Sequence, residues 1–420
     1  MSEANASAPA SRLALVFIMI TLIVDMIGFG IVIPVAPKII MELTGDGLSA
    51  AAKWGGWLSF TFALMLFLCA PLIGNLSDRF GRRPVIIASL IAIGIDYAIT
   101  GWAPTIYWLF IGRFLSGVAG ASYTTANAYI ADITPPERRA VNFGLVGGAF
   151  SLGFIVGPWI GGVLGDVNPR LPFFAAAAMA LANALFGLLV LKESLPRKDR
   201  RTFEWWRANP LGALAALRRF PGIAGMIGIL VLIRLAHDAN PSVWTYYTML
   251  KFGWSIRDVG NSMMFIGVVL AINYILVARW LIPRIGEVRA TYVSLSAGAV
   301  GFVGYAFATQ GWMMYAWMAV WSLMALSMPS LNAIMSKQVG PSEQGELQGA
   351  LSSVGGLTSV VAPPLLTGLF AWFTGPAAPV YFPGAAFFAA GIFLALALLW
   401  LARLRPLDDA PAEAVKAAEG

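Results

Sequence analysis

Six ionisable side chains interrupt long apolar stretches of this sequence: Asp25, Asp96, Arg113, Arg234, His237 and Asp238. A charge at the centre of a membrane-spanning helix costs about 2.5–3.5 kcal/mol on insertion scales, so such groups are kept where they face a cavity, pair or relay protons. Burial disfavours the charged form of a carboxyl group and a nearby arginine favours it. An aspartate held between those influences can take up and release a proton. The same residues could instead form static ion pairs that tie helices together. Arg234, His237 and Asp238 stand at i, i+3 and i+4, on roughly one face of a helix. Asn240-Pro241 follows, where the missing N–H breaks or kinks the helix. A charged face beside a break suits a cavity lining, and a histidine there is placed to titrate. The plainer alternative is an Arg234–Asp238 pair within one helix.

The elements that must position these groups are membrane helices. Hydrophobic residues make up 59% of the 420 and charged residues only 12%, with mean hydropathy +0.76. Soluble domains are about 45–50% apolar and about 25% charged, so a soluble multidomain enzyme is excluded. Twelve apolar spans are read at 12–36, 54–77, 84–103, 105–131, 141–165, 172–191, 222–249, 256–279, 289–309, 312–336, 347–372 and 384–403. They lack the alternating strands of an outer-membrane barrel and are helices, because each segment in lipid must satisfy its own backbone. The run after Arg12 is too long for a signal-peptide core and reads as the first span. One cysteine, Cys69, and one histidine leave no disulfide and no Cys/His metal cage.

Most of the 28 lysines and arginines fall on the side of the two termini; the other side holds Lys38, Lys53, Arg170, Lys251 and Arg257. Both termini are therefore expected in the cytoplasm of a multi-pass inner-membrane protein. The net charge of +7 reflects this bias and not a nucleic-acid partner. The organisation is a cytoplasmic N-terminus (1–11), a six-helix bundle (12–191), a cytoplasmic central loop (192–221), a second six-helix bundle (222–403) and a cytoplasmic tail (404–420). The central loop reads as a linker, with a helix at the membrane interface as the alternative, since Trp205 and Trp206 stand among basic residues.

The halves repeat at an offset of about 205: Arg79 matches Arg284, Gly81 matches Gly286, and Gly157-Pro158 matches Pro363-Pro364. Parallel six-helix repeats organise the major facilitator superfamily, with the site near midplane between the halves. The loop Gly74-x-x-x-Asp78-Arg79-x-Gly81-Arg82-Arg83 resembles the signature loop of that superfamily. Arg113-Phe-Leu-Ser-Gly117 resembles its second motif. Gly153-Phe-Ile-Val-Gly157-Pro158-Trp-Ile-Gly161-Gly162 resembles the motif of its drug/proton antiporters. The stretches 25–34, 96–98, 131–134 and 344–349 are similar to the tetracycline/proton antiporters. The resemblance implies an all-α membrane fold of twelve helices in two bundles, and export of an amphipathic drug in exchange for protons. Two positions depart from it. Leu270 stands where that subgroup has a span-eight histidine, and Gly298 stands near its span-nine aspartate. Proton coupling in the second half is therefore expected from His237 or Asp238.

The residues carry their own logic beside the resemblance. Asp78 among Arg79, Arg82 and Arg83, with Gly81 for the turn, could latch helix ends; a positive-inside anchor is the alternative. Asp132 with Arg138 and Arg139 offers a second cluster, as a latch or a solvated face. Gly153, Gly157 and Gly161 form a smooth column that lets another helix approach, with Pro158 and Gly162 alongside. Spans one, four, seven and ten line the cavity in the superfamily, which makes Tyr123, Asn127, Trp244, Tyr247, Trp317, Trp321, Met328 and Asn332 candidates for an aromatic pocket. For each, core or interface packing is the competing use. No nucleophile–base pair, metal cluster or Gly-Lys-Ser/Thr phosphate loop is present. The expected protein is a transporter, not an enzyme, monomeric in the bilayer, with no cofactor and a proton gradient as its energy source. Transport of another metabolite is the first rival; a receptor or membrane-embedded enzyme is the remote one.

Overall fold

The computed structural model describes residues 8–120, 122–135, 139–204, 212, 223–340 and 343–404. Among them every regular element is helical. Ten helices among the described residues are long and apolar enough to cross a membrane. Spans one, two, three, five and six are the helices Ala8–Val32, Leu48–Phe80, Arg82–Trp102, Arg139–Val167 and Leu171–Val190. Spans nine, eleven and twelve are Glu287–Phe307, Gln344–Thr374 and Ala385–Arg403.

Span four is described over Ile106–Gly120 and Ser122–Ile133, and the other three spans are interrupted. Span seven comprises Ala224–His237 and Ala239–Phe252. Span eight passes through a π-helical turn, Asn273–Val277, and span ten through a 3₁₀ segment, Ser322–Leu326. The break in span seven has a local cause. Pro241 has no N–H to offer the carbonyl of residue 237, so the helix stops at His237. Pro241 then sits in the first turn of the next helix, where a missing N–H costs nothing.

Contacts divide the chain into two compact units. The first comprises Met1–Gly212, Asp238–Val268 and Gly356–Ala386; the second comprises Ala213–His237, Val269–Gly355 and Phe387–Gly420. In the first, Phe17, Leu22, Leu90, Tyr129 and Ala184 form a core shared by spans one, three, four and six. In the second, Phe302 stacks on Phe387 at 6.2 Å and meets Trp321 edge-on at 5.8 Å. Large apolar side chains such as Trp57, Ile95, Leu189 and Val300 point outward, as lipid-facing surfaces require.

The repeat is visible in the backbone. Gly81 and Gly286 both take positive φ, 106° and 79°. Each donates its N–H to the carbonyl four residues back, Ser77 at 3.0 Å and Ile282 at 2.9 Å. A helix ends just before each glycine and another starts just after it. The conformation favours glycine at both sites. The central-loop segments 205–211 and 213–222, with Trp205 and Trp206, lie outside the described residues, as do 1–7 and 405–420.

Candidate functional site

Within the first unit a cavity of about 430 Å³ is lined by Asp25, Asp96, Arg113 and Asp238. Asp96 is fully buried. Its Oδ2 accepts a hydrogen bond from Arg113 Nη2 at 3.0 Å and its Oδ1 one from Thr100 Oγ1 at 3.3 Å. Gly112 on span four leaves room for that carboxylate, since a Cβ there would collide with Oδ1. The Arg113 guanidinium also lies over the Phe62 ring, 5.9 Å from its centroid, a cation–π contact. Asp25 differs: its Oδ1 is buried and has no hydrogen-bond partner among the described residues. Phe29, Phe62, Tyr97, Phe150, Phe173 and Tyr246 supply aromatic walls. The site thus holds one neutralised pair, two further carboxylates and a largely apolar lining. It suits an amphipathic ligand and a proton.

The three charged residues of span seven do not share one face. The helix ends at His237 and a new one begins at Ala239, so Asp238 faces the cavity of the first unit. Arg234 and His237 instead line a smaller cavity of about 250 Å³ in the second unit, with Leu270, Tyr274, Trp321 and Met328. Leu270, the position that lacks the expected histidine, therefore shares a cavity with His237.

The aromatic candidates divide. Trp321 and Met328 line the second cavity. Trp244 is packed, its Nε1 donating to Ser262 Oγ at 3.0 Å. Tyr247 is fully buried and accepts from Lys251 Nζ at 3.0 Å. Trp317 packs over Gly304 of span nine, where a Cβ would run into its ring. Asn127 and Asn332 line neither cavity, and the side chain of Tyr123 lies outside the described residues. Sequence reasoning missed Phe29, Phe62, Tyr246 and Thr100. Thr100 was findable, one helical turn beyond Asp96.

The signature loop is a hydrogen-bonded cluster centred on Arg82. Its Nη1 donates to Ser77 Oγ at 2.7 Å and to Asp78 Oδ1, and its Nε to Asp132 Oδ2 at 3.3 Å. Asp78 and Asp132, read as two clusters in the sequence, meet on one guanidinium. The start of the central loop joins them. Glu193 Oε1 accepts the Arg82 backbone N–H at 2.9 Å, and Ser194 Oγ donates to Asp132 Oδ2 at 2.9 Å. Arg83 Nη2 donates to the Leu188 carbonyl at 2.8 Å, while Arg79 lies over the Phe80 ring. Gly74 has open space where a Cβ would go. Arg138 and the side chain of Arg139 lie outside the described residues.

The glycine column packs on span one. Added Cβ atoms at Gly153 and Gly157 would lie 2.8 Å from Ile23 O and 2.7 Å from Ile27 O, and one at Gly161 would strike the Ile31 carbonyl. Pro158 abuts Gly30, and Gly162 meets Gly260 of span eight, where a Cβ on Gly162 would lie 3.1 Å from the Gly260 Cα. The column is a backbone-to-backbone contact rather than a loose seam.

Paired helical repeats, the buried Asp96–Arg113 ion pair and a cavity lined by several spans fit a polytopic transporter. A profile of the Major Facilitator Superfamily matches residues 18–363. The tetracycline resistance protein, class C, of Escherichia coli is 37% identical over 86% of this chain and 90% of its own length. The class G protein of Vibrio anguillarum is 36% identical over 82% and 87%. Multidrug resistance protein 2 of Bacillus subtilis (strain 168) is 28% identical over 83% and 87%. Among solved structures, the human organic anion transporter MFSD10 matches with TM-score 0.67 at 22% identity, covering 93% of this chain and 99% of that one. The nucleoside transporter NupG matches with TM-score 0.75 at 14% identity, covering 95% and 100%; both likenesses concern the fold. The chain belongs to the Major Facilitator Superfamily: it is a multi-pass membrane transporter and not an enzyme.

Proposed function

We propose that this protein exports an amphipathic drug in exchange for protons, with tetracycline-like compounds among its substrates. The tetracycline and multidrug resistance relatives support drug efflux. The observation that carries the coupling is the contrast between two aspartates in one aromatic cavity: Asp96 is paired with Arg113, and Asp25 is not paired. The Asp96 carboxylate is engaged by Arg113 and Thr100, whereas Asp25 Oδ1 has no hydrogen-bond partner among the described residues and so has a position open to a proton. Asp25 is accordingly the proton carrier of the first half. Asp238 serves beside it in the same cavity, and Arg113 holds Asp96 or an anionic group of the substrate.

The transport cycle alternates access by rocking the bundles 12–191 and 222–403 about this cavity. The Arg82 cluster latches one conformation and releases in the other. A proton entering from outside neutralises Asp25 and favours substrate release on that side. It can shift the equilibrium only by as much as it binds the two states differently. Both termini face the cytoplasm, the transporter works as a monomer in the inner membrane, and the proton gradient is its energy source without a cofactor.

The test is drug flux in proteoliposomes. Asp25→Asn is expected to abolish flux driven by an imposed pH gradient while keeping gradient-independent exchange of labelled drug for unlabelled drug. Asp238→Asn is expected to weaken the driven flux, and His237→Ala to leave it. Undiminished gradient-driven flux in Asp25→Asn overturns the assignment.

A further inference from the structure

The turn between spans eight and nine carries three arginines that the fold leaves uncompensated. In the first half two of the three loop arginines are consumed: Arg82 bonds to Asp78 and Asp132, and Arg83 to the Leu188 carbonyl. At the repeat offset of 205 the second half has Pro283 in place of Asp78, Glu287 in place of Arg82 and Lys337 in place of Asp132. The Arg82–Asp132 contact at 3.3 Å is thus kept with its signs exchanged, as Lys337 Nζ meets Glu287 Oε1 at 2.7 Å. Glu287 is the one acidic residue between 279 and 289, and Lys337 takes it. Arg279, Arg284 and Arg289 are exposed, and among the described residues no carboxylate pairs with any of them.

One of the three is held in a defined pose. The Arg284 guanidinium lies 4.2 Å from the centroid of the Trp280 ring, and its Nη1 donates to the Trp280 carbonyl at 3.0 Å. A guanidinium has five N–H donors, so this tie leaves a planar fork of the kind that matches phosphate oxygens. Trp280 is itself 59% exposed, and tryptophan gathers at the headgroup level of a membrane. Further into the span, Ile272 and Leu276 are 46% and 61% exposed. Residues 272, 276, 280 and 284 follow at four-residue intervals, so two apolar side chains, an indole and a guanidinium succeed one another along span eight. A phospholipid has the same order, from acyl chain through glycerol to phosphate. Arg289 adds its charge from the first turn of span nine, just past the turn at Gly286.

We infer that this end of spans eight and nine is a binding surface for the headgroup of an anionic phospholipid. The phosphate accepts from Arg284, Arg279 and Arg289 supply further attraction, and an acyl chain lies along Leu276 and Ile272. Basic residues beside a span draw acidic lipids to it. A topological anchor would also place arginines here, but it needs no stacked guanidinium and is indifferent to the headgroup. The inference makes no use of the efflux reading, since lipid binding needs neither drug nor gradient.

The experiment is native mass spectrometry of the purified full-length protein in detergent micelles, titrated with dioleoyl-phosphatidylglycerol or with dioleoyl-phosphatidylcholine. One arginine at an acidic membrane surface contributes about fivefold in affinity, so phosphatidylglycerol is expected to bind at least about fivefold more tightly than phosphatidylcholine. Arg284→Gln should weaken phosphatidylglycerol binding about fivefold and leave phosphatidylcholine binding unchanged. Arg279→Gln, Arg284→Gln and Arg289→Gln together should abolish the preference. Arg284→Lys keeps the charge without the planar fork and should fall between wild type and Arg284→Gln, which keeps the assay decisive if the triple variant unfolds. Arg257→Gln removes an exposed arginine at the other end of span eight and should bind as wild type. sn-Glycerol 1-phosphate, a headgroup anion without chains, should not displace the lipid at equal concentration. The inference is overturned if the two lipids bind alike, if the folded triple variant keeps the preference, or if glycerol phosphate displaces the lipid, which would make the occupant a free phosphate.

Discussion

The Asp96–Arg113 pair lends itself to a double-mutant cycle. Asp96 is 0% exposed and the Arg113 side chain 18%, with 3.0 Å between Nη2 and Oδ2. Arg113→Met leaves the carboxylate in an apolar bundle with only the hydroxyls of Thr100 and Ser116 beside it among the described residues. Breaking a buried pair from one side costs about 3–5 kcal/mol, because the remaining charge is uncompensated. Asp96→Asn should cost less, since the amide keeps an oxygen for Thr100 and Arg113 retains its contact with Phe62. Asp96→Leu with Arg113→Met removes both charges, and paired replacement by apolar residues is often neutral or stabilising. The double variant should therefore be more stable than Arg113→Met, with a coupling energy of at least about 2 kcal/mol. Unfolding of the purified protein by dodecyl sulfate in mixed micelles, followed by circular dichroism, measures all four corners. If the Asp96→Leu and Arg113→Met effects add within about 0.5 kcal/mol, as independent sites do, the pair holds nothing together and the argument is refuted.

Three further predictions follow the same physics. Gly157→Val places a Cβ about 2.7 Å from Ile27 O and 3.1 Å from the Gly30 Cα, so spans one and five must separate. Its cost should be about 1–3 kcal/mol, whereas Gly147→Ala, with open space at its Cβ, should stay within about 0.5 kcal/mol; the same unfolding titration compares them. Lys337 Nζ donates to Glu287 Oε1 at 2.7 Å and holds that carboxyl below the usual glutamate range. The resulting stabilisation is complete above the ordinary glutamate value of about 4.3 and fades as pH falls through the lower folded value. Both groups are partly exposed, so it is worth less than about 1 kcal/mol. Lys337→Met should erase that segment of the stability–pH curve. Arg82→Gln removes donors to Ser77, Asp78 and Asp132 and should lower the initial rate of drug uptake into inverted membrane vesicles at least tenfold. Arg82→Lys should recover little, because one ammonium cannot reproduce the guanidinium fork.

The spans were legible because lipid leaves a backbone few options, and the turns at Gly81 and Gly286 were legible because the repeat aligned them. The partners of the buried charges were less so. Asp96 and Arg113 were singled out by type, but a separation of 17 residues on different spans leaves no periodic signal that they meet. Glu193 and Ser194 reach the Arg82 cluster from a loop more than a hundred residues further on, where neither pattern nor hydropathy points to them. The aromatic candidates were chosen by span membership. Facing direction then decided the outcome: Trp244 and Tyr247 turned into packing, while Phe29 and Phe62 took the wall of the cavity.

Span seven shows most clearly where a spacing argument stops holding. Placing Arg234, His237 and Asp238 on one face assumes a continuous helix that Pro241 interrupts only beyond Asp238. Proline acts backwards: the bond it cannot make is to the carbonyl four residues earlier, and that residue is His237. The interruption therefore falls between His237 and Asp238, so two consecutive ionisable residues serve different cavities. Applying the i−4 rule to Pro241 would have separated them from sequence alone. It also removes the regular helical turn that an Arg234–Asp238 pair would need. Under the proposed efflux function the lone carboxylate Asp25 has its own explanation: it is kept at a cost in stability because what completes it, a proton, arrives from outside the chain.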